Sequence, residues 1–173
     1  MATSSSVNFE LDVAEYIEEA FERCGLEVRT GYDLRTARRS MNILFADWAN
    51  RGLNQWTIEQ RTQALVSGTA NYDLDADLVD VLNAVIRRGN TDFSLSRISR
   101  DAYINIPTKS TTGRPSQYFL DRQITPKLKL WATPENSTDV FVYDALTRIQ
   151  DADTAKDTVD IPFRFYPCLT AGL

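Results

Sequence analysis

The run from Asp33 to Trp56, DLRTARRSMNILFADWANRGLNQW, constrains the fold more than any other stretch. Leu34, Ala37, Met41, Leu44, Phe45 and Trp48 recur at spacings of three and four, so an α-helix gathers them on one face. Asp33 supplies the start signal, because its carboxylate can accept hydrogen bonds from the free N–H groups of a first turn. Gly52 supplies the stop, since the residue just past a helix end often needs positive φ. Arg35, Arg38 and Arg39 lie along one flank. Ile43 sits almost opposite the stripe, where a surface helix should be polar. Two apolar sides and a basic flank predict burial against something outside the helix's own core, such as a neighbouring subunit. A solvated face is the alternative for the arginines, and a single exposed Ile is ordinary in itself.

A second helix precedes this one. Asp12 and Glu15 form a D-x-x-E capping signal, and Val13, Ile17, Ala20, Phe21 and Cys24 make the apolar stripe that Gly25 ends. Glu15, Glu18, Glu19 and Glu22 fall on the opposite face. Unpaired carboxylates are too costly to bury, so this face meets either solvent or the arginines of a second chain. Leu26 to Tyr32 connects the two helices into an αα-hairpin.

From Gln55 the texture turns β. Trp56–Val66 is rich in β-branched residues and partly alternating, with Trp56 opening the run, and Ser67-Gly68-Thr69 is a turn before Ala70–Leu74. Val81–Arg87 and Phe93–Ile98 flank a Gly89-Asn90 turn. Ser99–Ile104 reads as one or two helical turns, and Thr108–Pro115 as a polar loop. Gln117–Arg122, Lys127–Trp131 and Val140–Ile149 complete a set of short antiparallel strands that fits a small sandwich or open barrel. After a polar loop over Asp151–Asp160, IPFRFYPCLTAGL begins another helix, with Pro167 tolerated in its first turn. The expected class is therefore α+β: an N-terminal antiparallel helical hairpin, an antiparallel β domain and the start of a C-terminal helix. The expected segments are a flexible leader over 1–8, the hairpin over 9–53, the β domain over 55–150, and 151–173 as loop and helix start. With no cap after Leu173, that helix is expected to continue further.

Composition narrows the function. The 173 residues hold 43% hydrophobic and 25% charged residues, ordinary for a soluble globular chain long enough to bury a core. The formal net charge of −5 argues against general affinity for nucleic acid, which needs clustered cations to neutralise phosphates. No apolar run reaches the roughly 20 residues of a membrane span, and MATSSSVN lacks a basic-then-apolar signal. Cys24 and Cys168 are too few for a disulfide framework, so a reducing compartment is the simplest inference. The chain has no histidine, which removes Ser–His and Cys–His nucleophile pairs, imidazole metal sites and the usual proton shuttle near neutral pH. The expectation is a non-enzyme with no cofactor and no resident metal.

Three clusters imitate chemistry without its spacing. Asp73, Asp75 and Asp77 begin like a calcium loop, but Leu78 stands where the loop needs Gly and Ala84 where it needs Glu. Thr108–Gly113 holds Lys, Ser, Thr and Gly outside the order that cradles phosphate. It reads as a contact loop for a partner, with Lys109 and Arg114 as its candidate residues. Arg87-Arg88 and Arg97/Arg100 are too sparse to track a nucleic-acid groove, and a solvated face explains them.

The run EEAFERCGLEVRTGYDLRTARRSMNILFADWANRGLNQWTIEQ resembles the N-terminal part of tailed-phage head-to-tail adaptor proteins. These are also called connector or packaged-DNA stabilisation proteins, with the tail tubular protein A group as relatives. YDLDADLVDVLNAVIR, GRPSQYFLDR and RIQDADTAKDTVDIPFRFYPCLTAGL extend the resemblance over nearly the whole chain. It implies a structural virion protein, made in the host cytoplasm, that forms a ring, commonly of twelve subunits, under the portal at the capsid vertex. Such a ring extends the channel for double-stranded DNA and offers a platform to a tail or nozzle protein. Relatives often carry a longer C-terminal helical segment against the portal, and this sequence stops where that segment would begin.

The charge pattern adds an assembly hypothesis. Glu15, Glu18, Glu19 or Glu22 of one subunit would face Arg35, Arg38 or Arg39 of its neighbour, with Ile43 supplying apolar contact. Two other classes bear weighing. A nucleic-acid-binding regulator would use the basic helix over 34–50 as a free recognition helix. A carboxylate hydrolase would need two acids converging in one pocket, and no spacing picks out such a pair.

Overall fold

The computed structural model describes residues 5–173; residues 1–4, half of the expected leader, lie outside the described residues. Among the described residues, four helices and ten strands follow in chain order. The helices are α1 (Val13–Arg23), α2 (Gly31–Asn50), α3 (Arg100–Ile104) and α4 (Tyr166–Gly172). The strands are β1 (Ile58–Ala64), β2 (Asn71–Asp73), β3 (Leu78–Arg88), β4 (Thr91–Ser94), β5 (Ser96–Arg97), β6 (Thr112–Gly113), β7 (Gln117–Asp121), β8 (Lys127–Trp131), β9 (Thr133–Pro134) and β10 (Val140–Thr147). The chain is α+β, and it divides into two units, one of residues 1–56 with 149–173 and one of residues 57–148.

In the first unit both long helices begin with reciprocal caps. Asp12 accepts from the Glu15 N–H at 2.9 Å while Glu15 accepts from the Asp12 N–H at 2.9 Å. The second helix starts two residues before Asp33, because Thr30 is its cap. Thr30 Oγ1 accepts from the Asp33 N–H at 3.3 Å, and the Asp33 carboxylate reaches back to the Thr30 N–H at 3.0 Å. Asp33 is thus the third helical residue of a T-x-x-D box, and its carboxylate serves the N–H groups that precede it. Both helices end in Schellman turns: Gly25 and Gly52 adopt φ of 71° and 69°. Leu26 N–H donates to Phe21 O at 2.9 Å and Leu53 N–H to Trp48 O at 3.1 Å.

The stripes behave as their spacing predicts. Val13, Ile17, Met41, Phe45 and Trp48 are buried in one cluster, with Leu34, Ala37 and Leu44 packed against it. Cys24 departs from this; it is the C-cap residue of α1 and exposed. Tyr16 is buried in its place, its ring edge-on to Tyr166 at 5.4 Å. The same cluster takes in Ile149, Ala152, Ile161 and Leu169. Residues 155–157 satisfy the start of α1, since Val13 N–H donates to Asp157 O at 3.0 Å and Ala14 N–H to Ala155 O at 2.9 Å. Asn42 holds the backbone of Ala152 from both sides, at 2.9 and 3.3 Å. Trp56 belongs here too: it lies in a 3₁₀ turn over Gln55–Thr57, with its ring 4.7 Å from Phe165 and its indole N–H on Asp160 O at 2.9 Å. The first strand therefore opens at Ile58 and not at Trp56.

The second unit is a sandwich. One sheet runs β1-β10-β3-β4 and the other β2-β8-β7-β5. Val81, Ile86 and Phe141 of the first share a buried cluster with Tyr118, Leu128 and Leu130 of the second. Gly89 and Asn90 make the expected two-residue hairpin turn, with Gly89 at φ 60°. The long pairings are antiparallel; β5 with β7 and β6 with β9 are two-residue parallel pairings that sequence reading missed. Asp139, fully buried, is held by Arg88 through two bonds of 2.8 Å. Buried Asp121 faces Arg100 and accepts from Gln123 at 3.0 Å.

Candidate assembly surface

The outer face of α1 does not stand open as a flat acidic wall. Together with residues before α1 and the C-terminal segment, it encloses a groove of about 690 Å³. All four candidate glutamates line that groove: Glu15, Glu18, Glu19 and Glu22. Two of the carboxylates are engaged within the chain. Glu15 completes the α1 cap, and Glu19 pairs with Arg23 at 2.8 Å one turn on. Glu18 and Glu22 are exposed, and their carboxylates make no hydrogen bond or ion pair among the described residues. They are one helical turn apart, about 6 Å along the axis. Beside them the groove presents Phe9 and Phe163, 61% and 68% exposed.

The outer face of α2 has the opposite character. At 3.6 residues per turn, Tyr32, Arg35, Arg39, Ile43 and Ala46 fall within about 80° of one another, and all five are exposed. Tyr32 is 72% and Ile43 64% exposed. Arg35 and Arg39, one turn apart, make no ion pair among the described residues. Arg38 is set apart from them: it turns toward the 151–160 segment and donates to Asp153 O. Its charge is one cause of the Asp157 carboxyl lying below its ordinary value, the first being the hydrogen bonds from Thr154. Arg38 therefore braces its own chain. The other candidates form a ridge.

Tyr32, Phe9 and Phe163 were missing from the sequence reading. Tyr32 could have been found, since it lies three residues before Arg35 on the same face. Phe9 lies before α1 and Phe163 in a 3₁₀ turn, where helical periodicity gives no signal.

In the second unit, the proposed contact-loop residues fold back on their own chain. Lys109 donates to Ile104 O and Ile106 O at 2.9 and 3.1 Å, and the Arg114 guanidinium lies 3.8 Å from the centre of the Phe93 ring. The three aspartates that began like a calcium loop meet cationic side chains. Asp73 faces Lys127 at 3.2 Å, and Asp75 and Asp77 both face Arg61, at 3.1 and 2.6 Å. The Arg61 hydrogen bond is the largest cause holding the Asp77 carboxyl below its ordinary value. As a recognition helix α2 would offer a duplex two unpaired arginines beside Tyr32 and Ile43, too little cation to track phosphates.

Comparison with protein families decides the assignment. Residues 13–173 match the family described as SU10 adaptor protein.

The chain belongs to the SU10 adaptor protein family.

It is accordingly a phage structural adaptor, a virion component that assembles with other virion proteins. The match takes in α1, α2, the whole sandwich and α4; it holds the α2 ridge and the groove except Phe9 and Leu11, which precede it. A comparison with curated proteins finds no match.

Proposed function

We propose that this adaptor works at the head-to-tail junction: copies close into a ring, commonly of twelve subunits, beneath the portal. The ring continues the DNA channel and gives a tail or nozzle protein its platform. The observation that carries the reading is family membership over residues 13–173. Two features of the molecule support it. The helical unit leaves an acidic groove and a basic, apolar ridge on one chain, and two different complementary patches favour head-to-tail contacts, which close into rings when the rotation allows. The net charge of −5 suits a wall past which DNA must slide, because a strongly cationic wall would hold the phosphates. The work is done by contacts alone, with no catalytic centre, cofactor or resident metal.

Native mass spectrometry of the full chain, alone and with a portal protein, tests the reading. The expected result is a ring-sized species bound to the portal, and infections lacking the protein should accumulate heads without tails. A chain that stays monomeric and ignores the portal overturns it.

A further inference from the structure

We propose that the occupant of the α1 groove is the α2 ridge of a second copy. The inference rests on the ring reading and gives it a specific contact.

Three observations point to this occupant. The groove lining carries four carboxylates against two guanidiniums, Arg23 and Arg164, and Arg23 is already committed to Glu19. The ridge carries two guanidiniums with no ion-pair partner among the described residues, Arg35 and Arg39, and its five residues include no acid. The spacing also matches. Glu18 and Glu22 are separated by one helical turn, as are Arg35 and Arg39, so two helices laid side by side bring both pairs into register together. Finally, each surface adds exposed apolar groups to its charges. Phe9 and Phe163 stand in the groove, and Tyr32 and Ile43 stand on the ridge. Aromatic anchors beside charges describe a protein contact better than a solvated face, on which large rings have no reason to gather. The charges set register along the two helices, while the apolar groups supply the contact that survives salt.

Two variants of the full chain test the pairing, measured by sedimentation and native mass with portal protein supplied. Arg35→Glu with Arg39→Glu makes the ridge acidic, and Glu18→Arg with Glu22→Arg makes the groove basic. Each variant then carries like charges on both surfaces, and each alone should associate roughly tenfold more weakly than the native chain at near-physiological salt. An equimolar mixture should regain native assembly, because every groove then finds a ridge of opposite sign. Circular dichroism establishes that each variant keeps its helices; if a reversal unfolds the hairpin, Arg35→Gln with Arg39→Gln, and Ile43→Ser, replace it with the same expected weakening. Native-like assembly of either reversed variant, or a mixture no better than its parts, overturns the pairing. The adaptor reading stands in that case, provided the native chain forms a ring-sized species on the portal. A native chain that is monomeric with portal present overturns both.

Discussion

Single side chains in this adaptor divide into those that hold the fold and those left facing outward. Trp48 belongs to the first kind: it is buried among Phe45, Phe165 and the apolar cluster of the helical unit. Trp48→Ala is expected to cost about 3–5 kcal/mol, read from denaturant unfolding at constant m-value. A loss below about 1 kcal/mol would mean that the site collapses around the deletion. Ile43, on the other face of the same helix, should show the reverse. Ile43→Ser is expected to leave monomer stability within about 0.5 kcal/mol, since the native side chain is already exposed. The carboxylates give a pH dependence with a definite sign. Asp77 beside Arg61, Asp92 beside Arg87 and Asp157 at Thr154 all titrate below their ordinary value in the folded chain. Their contribution is fully present above the unfolded value and is lost as pH falls through the folded ones. The melting temperature should therefore hold from neutral to about pH 5 and fall below about pH 4. The acid limb should be shallower in Asp77→Asn, measured by thermal scans across that range.

At the scale of elements, capping decides where the helices begin and end. Thr30→Ala removes the oxygen that meets the Asp33 N–H and should cost about 1 kcal/mol. Gly52→Ala places a Cβ on a residue at φ 69°, with open space around it, so the expected penalty of about 1 kcal/mol is purely conformational. Amide exchange in the first turn of α2 checks Thr30→Ala and in its last turn Gly52→Ala, since a weakened cap speeds exchange there before it speeds exchange in the core. Thr30 was legible as a polar residue three before Asp33. The sequence reading takes Asp33 as the cap and leaves Thr30 in the connector, although Thr and Asp both serve in that role. The choice between them depends on which residue takes extended backbone, and Thr30 does, at φ −138° and ψ 154°.

At the scale of the whole chain, the C-terminal segment is part of the helical unit. Leu169 is fully buried in the cluster that holds Val13 and Met41, and residues 155–157 cap the start of α1. Replacing Leu169 by Ala should cost about 2–5 kcal/mol and loosen α1 and α2 as well as α4, seen as faster amide exchange in all three. Exchange confined to α4 would show that the cluster does not act as one body. What the sequence determined by itself was local: two amphipathic helices with their stripes, the Asp12–Glu15 cap, both glycine stops, the Gly89-Asn90 hairpin and the alternation of the strands. Each depends on residues within a few positions of one another, so periodicity and turn chemistry carry the information. Tertiary structure decided the rest. It placed β10, last of the strands, between β1 and β3, and it turned Arg38 inward to Asp153 while Arg35 and Arg39 stayed outward. It also drew Phe9 and Phe163, more than 150 positions apart in sequence, into one groove with Glu18 and Glu22. Such contacts are set by which buried surfaces fit together across long loops, and no local pattern encodes that choice.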